Sequence, residues 1–178
     1  MSSVSFSVHL PASLVSDFDE LRDKTIKLGQ VGRTLAIFRV GKIFLYDDDE
    51  NRVKDSQEEI NLIETLLEYM ETPQYLRKDL FPYMEELRYA GVLPPLRTPH
   101  HPLRDEKNEE GDLREAVVKE SNPERSVLNI GLSEEGIYED ELEEGSRVIV
   151  KLGEKVDGGR RSVYPVEREG LEGYWGYD

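Results

Sequence analysis

The first residues that could take part in chemistry are an arginine and two glycines in one predicted helix. Gly29 and Gly32 precede Arg33, and a glycine inside a helix costs roughly 1 kcal/mol relative to alanine, so some group must approach closely there. Either a phosphate or another backbone comes near and Arg33 binds it, or two helices pack closely and Arg33 lies at the surface. The spacing alone favours close packing.

A second set of candidate side chains lies at the start of a predicted helix farther along the chain. Tyr75 is an aromatic ring that could stack on a base, and the cations Arg77 and Lys78 follow it. Sites that hold phosphates and unstacked bases often combine these groups at a helix start. A capped amphipathic helix with solvated charges explains the same pattern equally well.

A third set lies in the proline-rich residues 93–102, which contain Arg97, His100 and His101. Four prolines in these ten residues impose an extended path of low conformational entropy, and preorganised loops often carry recognition groups. Paired histidines can also bind a metal, but no third ligand stands at a recognisable spacing, so no metal site is predicted.

The composition narrows the chemistry further. The 178 residues contain no cysteine, which excludes disulfides, thiolate catalysis and cysteine-bound zinc. The sequence also lacks a Gly-x-Ser-x-Gly motif and a glycine-rich phosphate loop. Classical hydrolases and nucleotide-binding proteins are therefore disfavoured. No apolar run is long enough to cross a bilayer and no secretory signal pattern is present, so a soluble cytoplasmic protein is expected.

The net charge is strongly negative but unevenly distributed. A formal charge of -15 ordinarily argues against a polyanionic partner, although acidic surfaces are also typical of proteins from a salt-rich, halophilic cytoplasm. Residues 105–178 contain 21 acidic and 10 basic residues, whereas residues 72–104 contain three acidic and five basic residues. Residues 72–104 are therefore the candidate polyanion-binding segment.

Hydrophobic periodicity predicts an α/β arrangement for the first part of the chain. Val4, Phe6, Val8 and Leu10 alternate with polar residues as in a strand. A helix capped by Asp17 should follow, with Leu28, Val31, Leu35 and Phe38 facing the core. The apolar residues 43–46 predict a strand buried on both faces, which completes a βαβ unit.

Helices and then short strands are predicted in the remainder. Asp55 or Ser56 should cap a second helix, residues 72–73 should start a third, and Pro82 should start or kink a fourth that ends at Gly91. Residues 105–112 are charged and featureless, as in a linker. Short β-like runs between turn residues follow and favour a small antiparallel barrel of the OB kind.

Long stretches of the chain resemble one known family. Residues 70–78, 81–82, 86–87 and 90–102 closely resemble the signature of the archaeal and eukaryotic RNA uridine-N3 methyltransferases of the SPOUT superfamily. Residues 27–38 and the strand up to Tyr46 are similar to the first SPOUT motif. Residues 173–177 resemble the family's return from an inserted OB-type barrel to the catalytic fold.

The resemblance implies both a domain layout and an activity. Residues 1–104 would form the N-terminal portion of a Rossmann-like, knotted SPOUT fold, with residues 105–112 as a linker. Residues 113–170 would form the inserted OB-like barrel, and residues 171–178 would begin the return to the SPOUT domain. The implied reaction is S-adenosylmethionine-dependent methylation of uridine N3 in RNA, most naturally ribosomal RNA, by a homodimer.

The resemblance also implies roles for individual residues. Arg33 matches the position of an arginine that in related enzymes holds RNA or the reacting group, so it is the predicted catalytic residue. The predicted RNA-binding residues are Tyr75, Arg77, Lys78, Arg97, His100 and His101. The S-adenosylmethionine site is expected in a C-terminal knot that has no counterpart in this sequence, so this chain alone is expected to be inactive. A non-catalytic RNA-binding module or ribosome-assembly factor is the alternative.

Overall fold

The computed structural model describes residues 6–48, 53, 55–102, 106–156, 158–168 and 171–178. Within it the chain divides into two compact units. The first unit comprises Met1–Thr72, Tyr83–Thr98 and Gly176–Asp178, and the second comprises Pro73–Pro82 and Pro99–Trp175. The first is a mixed α/β structure and the second is a closed five-stranded β-barrel.

The first unit contains the predicted βαβ arrangement. Strand β1 (Phe6–Pro11) leads through a 3-10 helix to helix α1 (Leu21–Ile37), and strand β2 (Val40–Tyr46) follows. The two strands pair in parallel, as predicted. Helix α2 (Ser56–Glu71) packs against α1, and both helices bury leucine, isoleucine and methionine side chains in one core. Val4, the predicted start of the first strand, lies outside the described residues.

The predicted ends of the first helix were wrong. The 3-10 helix Ala12–Val15 occupies the chain before Asp17, and α1 begins only after Glu20, whose backbone carbonyl accepts the first helical hydrogen bonds. Phe38 was predicted to face the core but is 69% exposed. The reason is that α1 ends before it and Arg39, at φ 54°, turns the chain directly into β2.

Strand β2 is buried on one face only, which corrects the predicted double burial. Ile43 and Leu45 pack against the core, whereas Phe44 is 46% exposed and Tyr46 is 45% exposed. This alternation is that of a strand with helices on one side. On the edge of β2 away from β1, the backbone of Asp178 accepts from the Ile43 N–H and donates to the Gly41 carbonyl.

Helix α2 starts as predicted and ends where another helix was expected. The Asp55 carboxylate accepts from the Glu58 backbone N–H, which confirms the N-cap. Thr72 adopts an extended conformation (φ -72°, ψ 128°) and ends α2 rather than starting a third helix. The cause is Pro73, which disfavours the helical conformation in the residue before it.

The predicted third and fourth helices are largely replaced by short turns. Only α3 (Arg77–Leu80) is α-helical in the first of these segments. Instead of a helix from Pro82 to Gly91, two 3-10 helices form at Glu85–Leu87 and Ala90–Val92. A short helix is marginally stable unless it buries a long apolar face. These segments have no such face, so the predicted helices form only single turns.

The second unit is a closed barrel with strand order β3-β4-β5-β7-β6. Its strands are β3 (Leu113–Asn122), β4 (Arg125–Asn129), β5 (Glu135–Tyr138), β6 (Arg147–Val156) and β7 (Arg160–Val166). Four of them contain the β-like runs noted in the sequence, whereas the four-residue β5 gave no clear signal. Small and branched apolar side chains fill the interior, among them Ala116, Leu128, Ile130, Val150 and Leu152. Among the described helices, none is long and apolar enough to cross a bilayer.

Candidate functional site

A cavity in the first unit brings together two of the predicted site residues. It has a volume of about 160 Å³. Its walls come from α1 and from the proline-rich segment: Arg33, Ala36, Ile37, Pro95, Leu96, Arg97 and Thr98. Arg33 and Arg97 are far apart in sequence and both are exposed. Both side chains line this cavity.

Gly29 explains how the proline-rich segment reaches α1. A Cβ atom built on Gly29 would lie 2.7 Å from Pro94 Cδ and 3.2 Å from a Leu93 methyl carbon. The missing side chain therefore lets Pro94 pack directly against the helix, one turn before Arg33. Gly32 instead faces Met70 and Leu67 of α2. Both glycines serve close packing, and at Gly29 that packing places Arg97 beside Arg33.

The cavity combines two cations with apolar walls. Neither the Arg33 nor the Arg97 guanidinium forms an ion pair or hydrogen bond with another described residue. The Thr98 Oγ1 atom is buried and has no hydrogen-bond partner in the part of the chain that the structure describes. Ala36, Ile37, Pro95 and Leu96 supply apolar walls. Such a site can hold an anionic or carbonyl-bearing group through charge-assisted hydrogen bonds while its apolar walls contact a flat ring.

We expect Gly29→Ala to destabilise the first unit by about 1 to 2 kcal/mol, because the new methyl group collides with the Pro94 ring. The gain in helix propensity, about 1 kcal/mol, offsets only part of that cost. Thermal unfolding followed by circular dichroism measures the difference. Gly91→Ala is the matched control, since a Cβ there meets nothing within 4 Å. Equal stabilities for the two variants would contradict the close approach of Pro94.

Tyr75 lies in the second unit, where its ring is used for packing. The ideal Cβ position of Gly131 is only 2.2 Å from Tyr75 Cδ2, and the Arg114 guanidinium lies 4.9 Å from the ring centroid. The Tyr75 hydroxyl donates to the Glu115 carbonyl at 3.0 Å. Burial, with a smaller contribution from the Glu115 carboxylate, raises the pKa of Tyr75 to about 12. The described contacts therefore anchor this segment to the barrel rather than present a free ring.

Arg77 and Lys78 are carried by α3, which the neighbouring Asp79 attaches to the barrel. Arg77 is half-buried and Lys78 is exposed. The Asp79 carboxylate accepts from Lys119 Nζ at 2.7 Å and from Asn129 Nδ2 at 2.6 Å. Burial raises the pKa of Asp79, but the hydrogen bonds and charge from Lys119 and Asn129 outweigh it, so the pKa is lowered.

A pH-dependent stability follows for Asp79→Asn. Because the folded-state pKa of Asp79 is lowered, its stabilising contribution is present above its unfolded pKa near 4 and is lost as the pH falls through the folded value. We expect Asp79→Asn to destabilise the barrel by about 0.5 kcal/mol at pH 7 and by almost nothing near pH 3. The value at pH 7 is small because solvent screens the charge of the partly exposed carboxylate.

The fluorescence of Trp175, the single tryptophan, reports urea unfolding of this unit. Glu120→Gln, an exposed carboxylate on β3, is the control for a general change of charge. A difference between wild type and Asp79→Asn that stays constant from pH 7 to pH 3 would contradict the assignment.

His100 and His101 also lie in the second unit. Their rings meet edge to face with centroids 4.4 Å apart, and His100 is buried against Trp175 at 6.3 Å. Lys107 Nζ lies 5.1 Å from the centre of the Trp175 ring, and burial lowers the pKa of this lysine. His101 is half-buried.

The predicted site residues are thus divided between the units. Arg33 and Arg97 line one cavity in the first, whereas Tyr75, Arg77, Lys78, His100 and His101 belong to the second. Thr98 was not predicted. Its signal in the sequence was only its position next to Arg97 in the proline-rich segment.

Comparison with known proteins identifies the class. Residues 5–178 match the family described as "Putative RNA methyltransferase". The chain belongs to this RNA methyltransferase family, as the sequence signature predicted.

The most similar relatives include enzymes named for one reaction. The human "28S rRNA (uridine-N(3))-methyltransferase" is 33% identical over 96% of this chain and 50% of its own length, and the Drosophila melanogaster protein of that name is 31% identical over 96% and 40%. An uncharacterized protein of Halobacterium salinarum is 34% identical over 93% of this chain and 61% of its own length. The chain thus spans about half the length of the relatives that it matches.

Proposed function

We propose that this chain is the RNA-binding part of an S-adenosylmethionine-dependent enzyme that methylates uridine N3 in ribosomal RNA. Family membership supports the methyltransferase class, and the names of the human and fly relatives support the uridine and the ribosomal RNA. The observation that carries the proposal is the cavity in which Arg33 and Arg97 meet beside Thr98.

The cavity suits the chemical demand of this reaction. Uridine N3 must lose its proton to solvent to become nucleophilic, and the two flanking carbonyl oxygens share the negative charge of the deprotonated ring. That charge is neutralised when the N–C bond to the methyl group forms and the methyl–sulfur bond of the donor breaks. A guanidinium hydrogen-bonded to such an oxygen stabilises that charge. In the proposal Arg33 performs this role and Arg97 binds the neighbouring phosphate.

The proposal does not place the methyl donor in this cavity. The donor carries a sulfonium cation, and the Arg33 and Arg97 guanidiniums, which form no ion pair with another described residue, repel it. We therefore propose that the donor pocket is built by residues outside this chain, as the family resemblance implies.

The finer features of the fold belong to the same proposal. The parallel β1–β2 pair linked by α1 suits the first βαβ unit of a SPOUT domain. The barrel's strand order, in which the fourth strand closes onto the first and the fifth lies between the third and fourth, suits an OB fold. We propose that the complete enzyme is a homodimer. We also propose that it works in the cytoplasm of a halophilic organism.

The proposal is tested by deleting the coding sequence in the source organism and measuring 3-methyluridine in its ribosomal RNA by mass spectrometry of the nucleosides. We expect loss of this nucleoside from one rRNA site, and its return when the wild-type sequence is restored. An unchanged 3-methyluridine content in cells whose ribosome assembly is defective would instead favour a non-catalytic assembly factor.

A further inference from the structure

The β6–β7 hairpin is basic in a strongly acidic protein. Residues 147–166 contain five basic and two acidic residues, whereas the whole chain carries a formal charge of -15. Some of these cations are engaged within the barrel: Arg147 pairs with Glu115, and Lys155 pairs with Glu134. Lys151 and Arg160 are exposed and form no ion pair with another described residue. Lys151 and Arg160 are therefore the hairpin's available cations, and the exposed Glu154 lies on the same strand as Lys151.

An exposed aromatic ring lies beside this charge. Tyr164 on β7 is 55% exposed. Its ring passes over Gly153 of β6, where a Cβ atom would lie 2.8 Å from Tyr164 Cε2 and 3.1 Å from the Ser162 carbonyl oxygen. A side chain at position 153 would displace the ring, so the glycine allows Tyr164 to lie against the barrel wall. A tyrosine supported in this way presents a stacking surface at a low cost in conformational entropy.

The neighbouring strands extend this surface into a row. Lys151 is the direct cross-strand partner of Tyr164, and Leu113 of β3 is the partner of Lys151 on its other side. Such pairs lie about 4.5 to 5.5 Å apart on one face of a sheet. An aliphatic side chain, a lysine and a tyrosine therefore stand in sequence across three strands. The barrel's inward-facing residues, such as Val150 and Leu152, do not contribute to this row.

The edge of β7 at Tyr164 is open within the described part of the chain. Strand β7 pairs with β5 only through Arg160, Arg161 and Ser162, so the ladder stops before Tyr164. On the other side it remains paired with β6. An extended polymer can therefore approach the ring from the open side without displacing a strand.

We propose that the row formed by Leu113, Lys151 and Tyr164 binds single-stranded RNA, with a base stacked on Tyr164 and a phosphate held by Lys151. An exposed ring beside a cation that forms no ion pair with another described residue is the combination that sequence-tolerant binding of single strands uses. This inference rests on the proposed function, since it assumes an RNA substrate, and it extends that function to a second contact surface on the barrel. A duplex has no unstacked bases to offer and binds this surface weakly.

The test is fluorescence anisotropy of a labelled 12-nucleotide single-stranded RNA, titrated with the 178-residue chain at several potassium chloride concentrations. We expect Tyr164→Ala to weaken binding roughly 5- to 150-fold, which corresponds to the loss of one base–aromatic stack. Tyr164→Phe keeps the ring and should bind within about twofold of wild type. Lys151→Ala should reduce the slope of log affinity against log salt by about 0.7.

Two controls separate binding from folding. Tyr83→Ala removes a tyrosine of the first unit that is 87% exposed, and it should leave RNA affinity unchanged. The melting temperature of Tyr164→Ala should equal that of wild type, because an exposed ring contributes little to the core. If Tyr164→Ala binds RNA with wild-type affinity, the proposed RNA-binding surface is wrong. The methyltransferase proposal would stand, because the 3-methyluridine content of ribosomal RNA tests it separately. A wild-type chain that binds no single-stranded RNA at any salt concentration would also overturn the proposed surface.

Discussion

For the proposed function, replacing Arg33 by alanine is expected to lower the rate of 3-methyluridine formation by about 100-fold while leaving RNA affinity within a few-fold of wild type. The reason is that Arg33 lines the cavity with a guanidinium that no described residue neutralises, so its charge is available to the developing uracil anion. A group that acts mainly on charge in the transition state changes turnover more than binding.

The rate is measured with protein purified from its source cells, so that any partner chain accompanies it. The substrate is ribosomal RNA from the deletion strain. Arg22→Ala provides the matched control, because Arg22 is also an exposed arginine of α1 but does not line the cavity. Arg33→Lys should recover only part of the rate, since lysine keeps the charge and loses the planar fork. If Arg33→Ala changes affinity and leaves turnover unaltered, Arg33 only holds RNA.

Replacing Gly131 by alanine should destabilise the barrel by roughly 3 kcal/mol or more, the largest stability effect expected for a glycine-to-alanine change among the described glycines. Gly131 has a φ of 72°, a left-handed conformation that costs other residues roughly 1 to 2 kcal/mol. In addition, the new Cβ would lie 2.2 Å from the Tyr75 ring, which cannot move freely because Arg114 and the Glu115 carbonyl hold it.

A second glycine of the barrel unit separates these two causes. Gly145 also has a positive φ, 78°, but nothing lies within 4 Å of its Cβ position. Gly145→Ala should therefore cost only the backbone strain, roughly 1 to 2 kcal/mol. Urea unfolding followed by Trp175 fluorescence compares the variants. Equal losses for Gly131→Ala and Gly145→Ala would show that the Tyr75 ring is not fixed against Gly131.

The local features of the fold were largely predictable from the sequence. The strand–helix–strand order of the first unit and the Asp55 cap were correct, because each depends on periodicity or hydrogen bonding over a few neighbouring residues. One prediction was wrong because the local sequence pattern is compatible with two structures. Thr72 before Pro73 can end one helix or cap the next, because Pro73 favours an extended Thr72 in both cases.

The candidate site was predictable residue by residue but not as an arrangement. Arg33 and Arg97 were both identified, yet nothing in their spacing indicated that one cavity contains them. Tyr75 was predicted as a ring that could stack on a base, whereas the structure packs the ring against Gly131. The row at Tyr164 was overlooked, because a single tyrosine in a short strand carries no signal until its cross-strand neighbours are known.

The sequence by itself determined the family, the acidic character of the chain and the βαβ start of the first unit, since these depend on composition, local periodicity and a long specific motif. Only the tertiary structure decided which side chains are available for chemistry. Gly29 lets Pro94 approach α1, and that contact places Arg97 beside Arg33. Contacts of this kind form between residues distant in sequence, so their geometry follows from the packing of the whole unit and not from local preference.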